Sequence, residues 1–465
     1  MKRYTGRLLS ALLWLSLSLA GLRGWGFLRS LRTGDPPVWR MYDPASFLYG
    51  SWPYFAVVMV LNAGLYLWEV KHYRPEPLKR ILFWVGMLGL AALALYPVGS
   101  KDLFGYAAYA RLHAHYGMNP YLARVADVVA FRKDLFLKNM FWVQHGTPYG
   151  PVWTWLAFAT YRMIAPFGLL PLLFSYKITG LLAHLSVTAM AYRVGELLSP
   201  GRGPQAAVLY GFNPLAIFEL VANGHNDGLG ILLLLVSLWL MLRARRGEGF
   251  LFAGLANVYK LSAGLVAPFI LWMTVRKGKW RTAVAGAGVI VLVFITMYLP
   301  FWNGGAIFTG LLTTVGGYYS NSLPVLPYFL GYPKELVGGF HLAGLLAFIL
   351  CYILLLYWTG RGSRDTLPVA SGLGFIAYFL LGAGVVHRWY YLWPLALMVA
   401  VPQSPWTRMV VRQTLLLVLS YTLLFALKGR VIDLFTYFLV LAPVTIMAVR
   451  RLGRNPIGGT QEKPV

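Results

Sequence analysis

The chain has 465 residues, of which 58% are hydrophobic and 12% are charged, about half the charged share of a typical soluble domain. This composition excludes an ordinary soluble enzyme, which needs far more polar surface. The formal net charge is +26, but the basic residues lie mostly in short loops between apolar runs. The positive-inside rule and anionic lipid explain that placement, so we expect no nucleic-acid partner.

Apolar runs of roughly 18 to 25 residues recur along the chain, and each is long enough to cross a bilayer. The sequence therefore predicts an all-α polytopic membrane protein with about twelve transmembrane helices and both termini inside. The first run is interpreted as a retained helix because no small-x-small cleavage site follows it. The predicted helices cover about 8–27, 52–70, 81–98, 205–221, 229–242, 282–301, 338–358, 367–385, 389–402, 413–427 and 434–449. The single cysteine, Cys351, excludes a disulfide within the chain.

Three segments depart from this pattern. Segment 99–148 is too polar to face lipid, and it is predicted to lie at the outer face with two amphipathic helices at 101–116 and about 131–141. Segment 148–193 contains two apolar stretches broken near residues 165–168, of which one is expected to be re-entrant. Run 250–275 has basic residues at both ends, so we expect two half-helices that meet at Lys260 beside a protein-lined cavity.

The predicted helix at 101–116 has a polar face. Ser100 is a candidate N-cap and Gly117 a candidate stop. Arg111 points away from the polar face. At 100° per residue, that face holds Asp102, Tyr106, Tyr109, His113 and Tyr116. Tyrosine rings and hydroxyls often hold sugars. Asp102 either serves a reaction or merely complements the helix dipole in the first turn.

Other polar or aromatic positions are candidates for binding a sugar or an acceptor: Asn119, Tyr121, Tyr149, His225, Asn226, Asp227 and Tyr390. Asn119 and Tyr121 flank a proline turn, and Tyr149 fits an aromatic belt as well as a substrate contact. The sequence around His225 and Asp227 is too polar for a bare turn. It can bind sugar hydroxyls or support the loop at Asp102. No spacing of three ligands is apparent, so a divalent metal is possible but not favoured, and we expect no cofactor.

Cations form the last group of candidates. Lys260 lies at membrane depth, where it either binds a lipid phosphate or extends to the interface. His387 and Arg388 begin an outer helix, and the Arg388 guanidinium can bind two phosphate oxygens. Tyr318, Tyr319 and Asn321 are further candidates for the same cavity. A carboxylate can deprotonate a hydroxyl nucleophile, and cations can stabilise a departing phosphate, so these groups on one membrane face predict a transfer site.

This ordered set resembles the GT-C superfamily of membrane glycosyltransferases, and more narrowly the bacterial polyprenyl-phosphate-mannose-dependent α-mannosyltransferases. The matching motifs are Ser100-x-Asp102 with Tyr106, Gly117-x-Asn-Pro-Tyr121, Tyr149-Gly-Pro151, His225-Asn-Asp227, Lys260-Leu261 and Arg388-Trp389-Tyr390. The chain departs from some members in two ways. It has one acidic residue, Asp102, where they have a pair, and it has two helices before the loop helix where many have one.

The resemblance implies an inverting transfer of a sugar, with mannose favoured, from a polyprenyl-phosphate donor to an acceptor hydroxyl at the outer face of the plasma membrane. It implies Asp102 as the general base, with the donor phosphate at Lys260, Arg388 and His387. The acceptor can be a glycan, a glycolipid or a protein. The expected organisation is N-terminal helices in 1–80, a catalytic core in 81–402 that includes loop 99–148, C-terminal helices in 403–450 and a basic tail in 451–465. The alternatives are a transporter or flippase of lipid-linked sugars and a non-catalytic assembly protein.

Overall fold

A computed structural model describes residues 2–30, 32, 35–37, 52–310, 322–424, 443, 444 and 447. The regular structure in these residues is helical without a β-strand, and one isolated bridge joins Asn303 and Gly305. The predicted all-α class is confirmed. Most of the predicted helix at 434–449, the residues Tyr318, Tyr319 and Asn321, and the basic tail lie outside the described residues.

The helices follow one another with short connections. The first eight are α1 (Lys2–Ser30), α2 (Trp52–Lys71), α3 (Leu78–Leu93), α4 (Asp102–Ala114), α5 (Pro151–Ile164), α6 (Leu169–Leu198), α7 (Gly203–Gly211) and α8 (Pro214–Ala222). The others are α9 (Asp227–Leu242), α10 (Arg246–Tyr259), α11 (Ala267–Arg276), α12 (Trp280–Tyr298), α13 (Lys334–Arg361), α14 (Thr366–Ala377), α15 (Leu392–Met398) and α16 (Pro405–Leu424). A one-turn helix at Leu326–Phe329 precedes α13.

Five described helices are long and apolar enough to cross a membrane, or six if the bent pair α7 and α8 forms one span. The five segments are Tyr4–Ser30, Pro53–Lys71, Leu169–Leu198, Trp280–Phe301 and Leu336–Arg361. The predicted number of about twelve is not confirmed. Two expected crossings are shorter than the five spans: α9 has 16 residues and ends at Leu242, before Arg243, and α3 has 16 residues and ends at Leu93, four residues before Pro97.

The break at Lys260 is confirmed. Helix α10 ends at Tyr259, Lys260 has an extended backbone, and a 3-10 turn at Leu261–Val266 leads into α11. The break near residues 165–168 is also present, since a 3-10 turn and Gly168, at φ 105°, separate α5 from α6. The predicted helix at 131–141 is wrong. Only a 3-10 turn at Phe131–Lys133 forms there, and ordinary turns follow it.

Helix α6 lies at the centre of the bundle and packs against α3, α4, α5, α7, α8 and α9. Small residues on α6 allow this close packing. At Gly180 an added Cβ would lie 2.1 Å from the carbonyl oxygen of Leu220 in α8, a distance that no side chain tolerates. The backbone of α8 is therefore held directly against α6.

The outer surface of several helices is apolar. On α13, Leu342, Leu346, Leu350 and Leu354 are each more than half exposed. An apolar surface of this extent would be unfavourable in water, and it fits contact with lipid chains. The polar backbone groups of α13 are satisfied within the helix, as a bilayer requires.

The start of α1 is fixed by a buried charged cluster. Arg7 is 3% exposed and donates hydrogen bonds to Glu69 at the end of α2, with Nη2 2.7 Å from Oε1, and to Glu76 just before α3. Because each charge in this cluster has a partner, burial does not leave an isolated ion. The cluster thus joins the first three helices at one end of the bundle.

Candidate active site

Asp102 occupies the first turn of α4. Its backbone N–H donates to the Ser100 hydroxyl at 3.0 Å, and Lys101 rather than Ser100 is the N-cap residue. The helix ends at Ala114, and Gly117 follows in a left-handed turn at φ 65°. Almost all of α4 is buried, so the expectation of an amphipathic surface helix is wrong for this segment. The reason is that the loop after α4 and helices α5 and α6 cover it.

His225 connects Asp102 to a second carboxylate. Its Nδ1 lies 3.3 Å from Asp102 Oδ2, and its Nε2 lies 3.3 Å from Glu219 Oε2. Neither contact has the alignment of a good hydrogen bond, so both are primarily electrostatic. The imidazole is fully buried and stacks on Trp389 with ring centres 3.8 Å apart. Asp102, His225 and Glu219 thus lie in contact in this order, from the open site to the protein interior.

The contacts of His225 shift the pKa values of Asp102 and of His225 itself. Burial alone would raise the pKa of Asp102, but contact with His225, reinforced by the charge of Lys260, brings that pKa below its ordinary value. Burial would lower the pKa of His225, but Asp102 and Glu219 together raise it to about 9. At neutral pH the Asp102 carboxylate is therefore ionised and the His225 imidazole is protonated.

Glu219 is the main residue that the sequence prediction missed. It is fully buried in the π-helical turn Ile217–Ala222 of α8. The Tyr421 hydroxyl donates to its Oε1, and Asn223 Nδ2 donates to its Oε2 at 2.9 Å. The available signal was an acidic residue within an apolar run, which usually marks a functional site in a membrane protein.

The Asp227 carboxylate already has two partners within the protein. The Lys260 ammonium lies 2.5 Å from Asp227 Oδ1, and the Trp393 indole N–H donates to the same oxygen at 2.7 Å. The Asp227 side chain is 1% exposed, whereas the Lys260 side chain is 26% exposed and lies 4.4 Å from the ring centre of Tyr390. Asp227 thus neutralises Lys260 from the interior and leaves the ammonium reachable on its other side. Trp393 was also not predicted.

The two predicted cations near the start of α15 differ in their surroundings. Arg388 donates from Nε to the Ser420 hydroxyl at 2.7 Å and lies over the Tyr421 ring. His387 stacks flat on Trp389, with ring centres 4.3 Å apart, and its ring meets Tyr390 edge-on. Burial lowers the pKa of His387 to about 4, so its imidazole is neutral at physiological pH.

Tyrosine rings form the wall beside Asp102. Tyr149 meets Tyr106 and Tyr109 edge-on at 5.0 and 6.3 Å between ring centres. The Tyr106 hydroxyl accepts the backbone N–H of Asn226 at 3.1 Å, and the Tyr259 hydroxyl donates to the Asn226 carbonyl at 2.7 Å. The loop that carries His225 is therefore fastened to α4 on one side and to α10 on the other. The Tyr109 hydroxyl donates to the carbonyls of His145 and Gly146.

Three predicted residues are not brought to Asp102. His113 lies eleven residues along α4, roughly 16 Å away at 1.5 Å per residue, and it packs among Trp155, Phe158 and Phe301. Asn119 donates to the carbonyl of Phe301, and the Tyr121 hydroxyl bonds Thr154. These contacts shape the segment between α4 and α5 rather than the surroundings of the carboxylate.

The described residues contain no group of three or more His, Cys, Asp or Glu side chains arranged to hold a metal ion. Among the charged groups described at the site, the Asp102 carboxylate and the Lys260 ammonium belong to partly exposed side chains. The Asp102 side chain is 21% exposed, whereas the Glu219 and Asp227 side chains are essentially closed. This arrangement can accept a proton at one point and hold an anion at another.

Comparison with known proteins matches this region to a family. Residues 17–276 match the family described as alpha-(1->6)-mannopyranosyltransferase, N-terminal domain. The chain is 26% identical over 356 residues to alpha-(1->6)-mannopyranosyltransferase A of Mycobacterium tuberculosis, covering 70% of this chain and 64% of the relative. It is also 26% identical over 369 residues to alpha-(1->6)-mannopyranosyltransferase B of Corynebacterium glutamicum, covering 70% of this chain and 57% of the relative.

The chain thus spans less than two thirds of the length of these curated relatives. The matched region, 17–276, contains Asp102, Glu219, His225 and Lys260, and it ends where α11 ends. Because the family match extends over more than half of the chain and includes the residues that meet at the site, the chain belongs to the alpha-(1->6)-mannopyranosyltransferase family.

Proposed function

We propose that the protein transfers a mannosyl residue from a polyprenyl-phosphate donor to an acceptor hydroxyl at the outer membrane face, with Asp102 as the general base. The family match supports mannosyl transfer. The observation that carries the role of Asp102 is its partial exposure. The two other carboxylates at the site are closed and occupied by protein donors.

In the proposed reaction, Asp102 accepts the proton of the acceptor hydroxyl, whose oxygen attacks the anomeric carbon. The bond between that carbon and the phosphate oxygen breaks on the opposite face, so the configuration is inverted. Polyprenyl phosphate departs as a stable anion, and Lys260 stabilises its charge. The acceptor is a glycan, a glycolipid or a protein, and the proposal needs no nucleotide sugar.

The low pKa of Asp102 has two consequences for this reaction. The carboxylate is ionised throughout the physiological range, so it is always ready to accept a proton. It is also a weak base, so the departing phosphate must carry much of the driving force. Activity that requires the ionised form should persist at mildly acidic pH and decline only as the pH falls through the lowered pKa of Asp102.

The central test compares Asp102→Asn with the wild-type chain and with Asp127→Asn as a matched control. Asp127 lies in the same outer segment and pairs with exposed Arg124. We expect Asp102→Asn to lower the rate by about 10²- to 10⁴-fold, the usual contribution of a general base, while Asp127→Asn keeps the wild-type rate. The rate is measured by mass analysis of released polyprenyl phosphate and of the product.

The same assay uses a panel of polyprenyl-phosphate sugars with several acceptors, and it determines the anomeric configuration of the product. Normal turnover by Asp102→Asn would refute the assignment of the base, and retained configuration would refute inversion. A flippase would move the lipid-linked sugar across reconstituted vesicles without a new glycosidic bond. That result would favour the transport alternative.

A further inference from the structure

The buried carboxylate of Glu219 is not used in the reaction described above. It lies behind His225, on the side opposite Asp102, with 3.3 Å between His225 Nε2 and Glu219 Oε2. A fully buried acid is costly unless its charge is satisfied. Here Tyr421, Asn223 and the imidazole surround it, so its position is built into the structure.

We propose that Glu219 is a positioning residue that acts through His225 to hold the Asp102 carboxylate and to keep the imidazole charged while Asp102 accepts the acceptor proton. This inference rests on the proposed function, in which Asp102 is the general base. Glu219 does not touch the substrate and is not itself a catalytic residue.

A second acid behind the imidazole has a specific electrostatic effect. Before transfer, the Asp102 and Glu219 charges flank one imidazolium. When Asp102 accepts a proton its negative charge is lost, and the imidazolium keeps a partner because the Glu219 carboxylate lies 3.3 Å from its Nε2. Without Glu219, protonation of Asp102 would leave a buried cation without a partner, which is strongly unfavourable. Glu219 therefore removes an obstacle to proton transfer.

The geometry of α8 fixes Glu219 for this role. The π-helical turn at Ile217–Ala222 brings Glu219 and His225 together, and the His225 backbone N–H donates to the Glu219 carbonyl at 2.9 Å. Asn223, which donates to Glu219, also accepts the backbone N–H of Gly99 at 3.0 Å just before α4. The same side chain thus links Glu219 to the segment that carries Asp102.

The charged and titratable groups around His225 come from several elements. They are Asp102 on α4, Glu219 on α8, Lys260 after α10, and His387 and Arg388 before α15. His387 is neutral at physiological pH, because burial lowers its pKa to about 4. Burial also opposes the charging of His225, but the two carboxylates outweigh it and raise the pKa of His225 to about 9.

The test compares the pH dependence of transfer by the full chain for wild type, Glu219→Gln and Glu248→Gln. Glu248 is a matched control because it forms an exposed ion pair with Arg245. We expect the wild-type rate to fall as the pH rises through about 9, where His225 loses its proton. In Glu219→Gln this decline should move down by at least about one pH unit, as expected for losing one adjacent charge. Glu248→Gln should follow wild type.

The unfolding temperature provides a second test, which does not depend on activity. The pKa of His225 is raised in the folded chain above its ordinary value of 6.5. Its stabilising contribution is therefore fully present below pH 6.5 and is lost as the pH rises through about 9. The difference in unfolding temperature between wild type and His225→Gln should shrink over that range. In the Glu219→Gln background it should shrink at lower pH.

These readouts separate the two proposals. If the wild-type chain transfers no mannose, the proposed function fails, while the unfolding temperatures still test the coupling of Glu219 to His225. An unchanged alkaline decline in Glu219→Gln, or a stability difference independent of pH, would overturn the positioning role. Should Glu219→Gln not fold, His225→Gln replaces it. Its rate should then show no decline near pH 9, and an unchanged decline would overturn the proposal.

Discussion

Asp227 and Lys260 form a pair in which one partner is closed and the other is partly open. A fully exposed ion pair contributes little to the free energy of unfolding. This pair has a buried partner, and removing one member of a buried pair leaves an uncompensated charge. The stability of the site therefore depends on both residues together. The two residues also differ in access, because the Lys260 side chain is partly exposed whereas that of Asp227 is closed.

A double-mutant cycle tests this dependence. Lys260→Met should destabilise the fold by about 3 kcal/mol, the low end for breaking a buried pair, since Trp393 still donates to Asp227. The double variant Lys260→Met with Asp227→Asn should regain most of that stability without regaining donor affinity. Denaturant unfolding and donor binding are measured on the full chain.

Lys71→Met, at the exposed end of α2, is the control for the loss of a lysine and should leave both quantities unchanged. Equal stability of the single and double variants would contradict the coupling between Lys260 and Asp227.

The sequence predicted these residues better than it predicted their contacts. Asp102, His225 and Lys260 were identified because polar residues are rare in an apolar chain, and the structure brings them together. The pairing of Lys260 with Asp227 was not predicted, because it depends on how α9 and α10 meet. Glu219 was missed because its three partners come from positions as distant as Tyr421.

At the scale of elements, the contact between α6 and α8 determines where Glu219 lies. The backbones touch at Gly180, which leaves no room for a side chain against the Leu220 carbonyl. Leu220 follows Glu219 directly in the π-helical turn. A larger residue at Gly180 must therefore displace the turn that carries the buried acid.

Gly180→Ala should accordingly lower both stability and transfer. We expect a loss of roughly 1–3 kcal/mol, typical of overpacking, in spite of the higher helix propensity of alanine. Gly64→Ala in α2 is the matched control, since a Cβ there would meet nothing within 4 Å. That variant should be neutral or stabilised by up to about 1 kcal/mol.

Unfolding and transfer rates of the two alanine variants are compared under the same conditions. Wild-type behaviour of Gly180→Ala would show that the backbones can separate without disturbing Glu219.

Elements were predicted where a local signal exists. Polar residues within a long apolar run between basic flanks predict the helix break at Lys260, and the structure confirms this break. The false helix at 131–141 shows the converse. Its residues have helical periodicity, but Asp134 accepts hydrogen bonds from Arg111 and Tyr116 and holds the segment in turns. Contacts between residues so far apart in sequence cannot be predicted from local hydrophobic periodicity.

At the scale of the whole molecule, the exposed leucines of α13 test the placement in a bilayer. Leu346 is 59% exposed, and its helix is the least buried of the candidate spans. Leu346→Arg should hinder membrane insertion by about 2.5–3.5 kcal/mol, as for a cation at the centre of a spanning helix. Membrane-integrated protein is measured after carbonate extraction.

Val129→Arg provides the contrast, since Val129 is fully exposed in the segment between α4 and α5 and should tolerate the charge. Equal membrane integration of both variants would argue against lipid contact at Leu346. The predicted number of about twelve crossings stays unconfirmed for a related reason. Hydropathy finds apolar runs, whereas a bend such as the 51° angle between α7 and α8 comes from packing.

The position of Trp393 in the chain also bears on how the protein is made. Asp227 and Lys260 can meet once α9 and α10 have been inserted, but Trp389 and Trp393, which stack on His225 and bond Asp227, are synthesised much later. At ~5–20 residues per second, this delay is on the order of ten seconds. During that interval the nascent chain has Asp227 and Lys260 in place but lacks the two tryptophans that complete their surroundings.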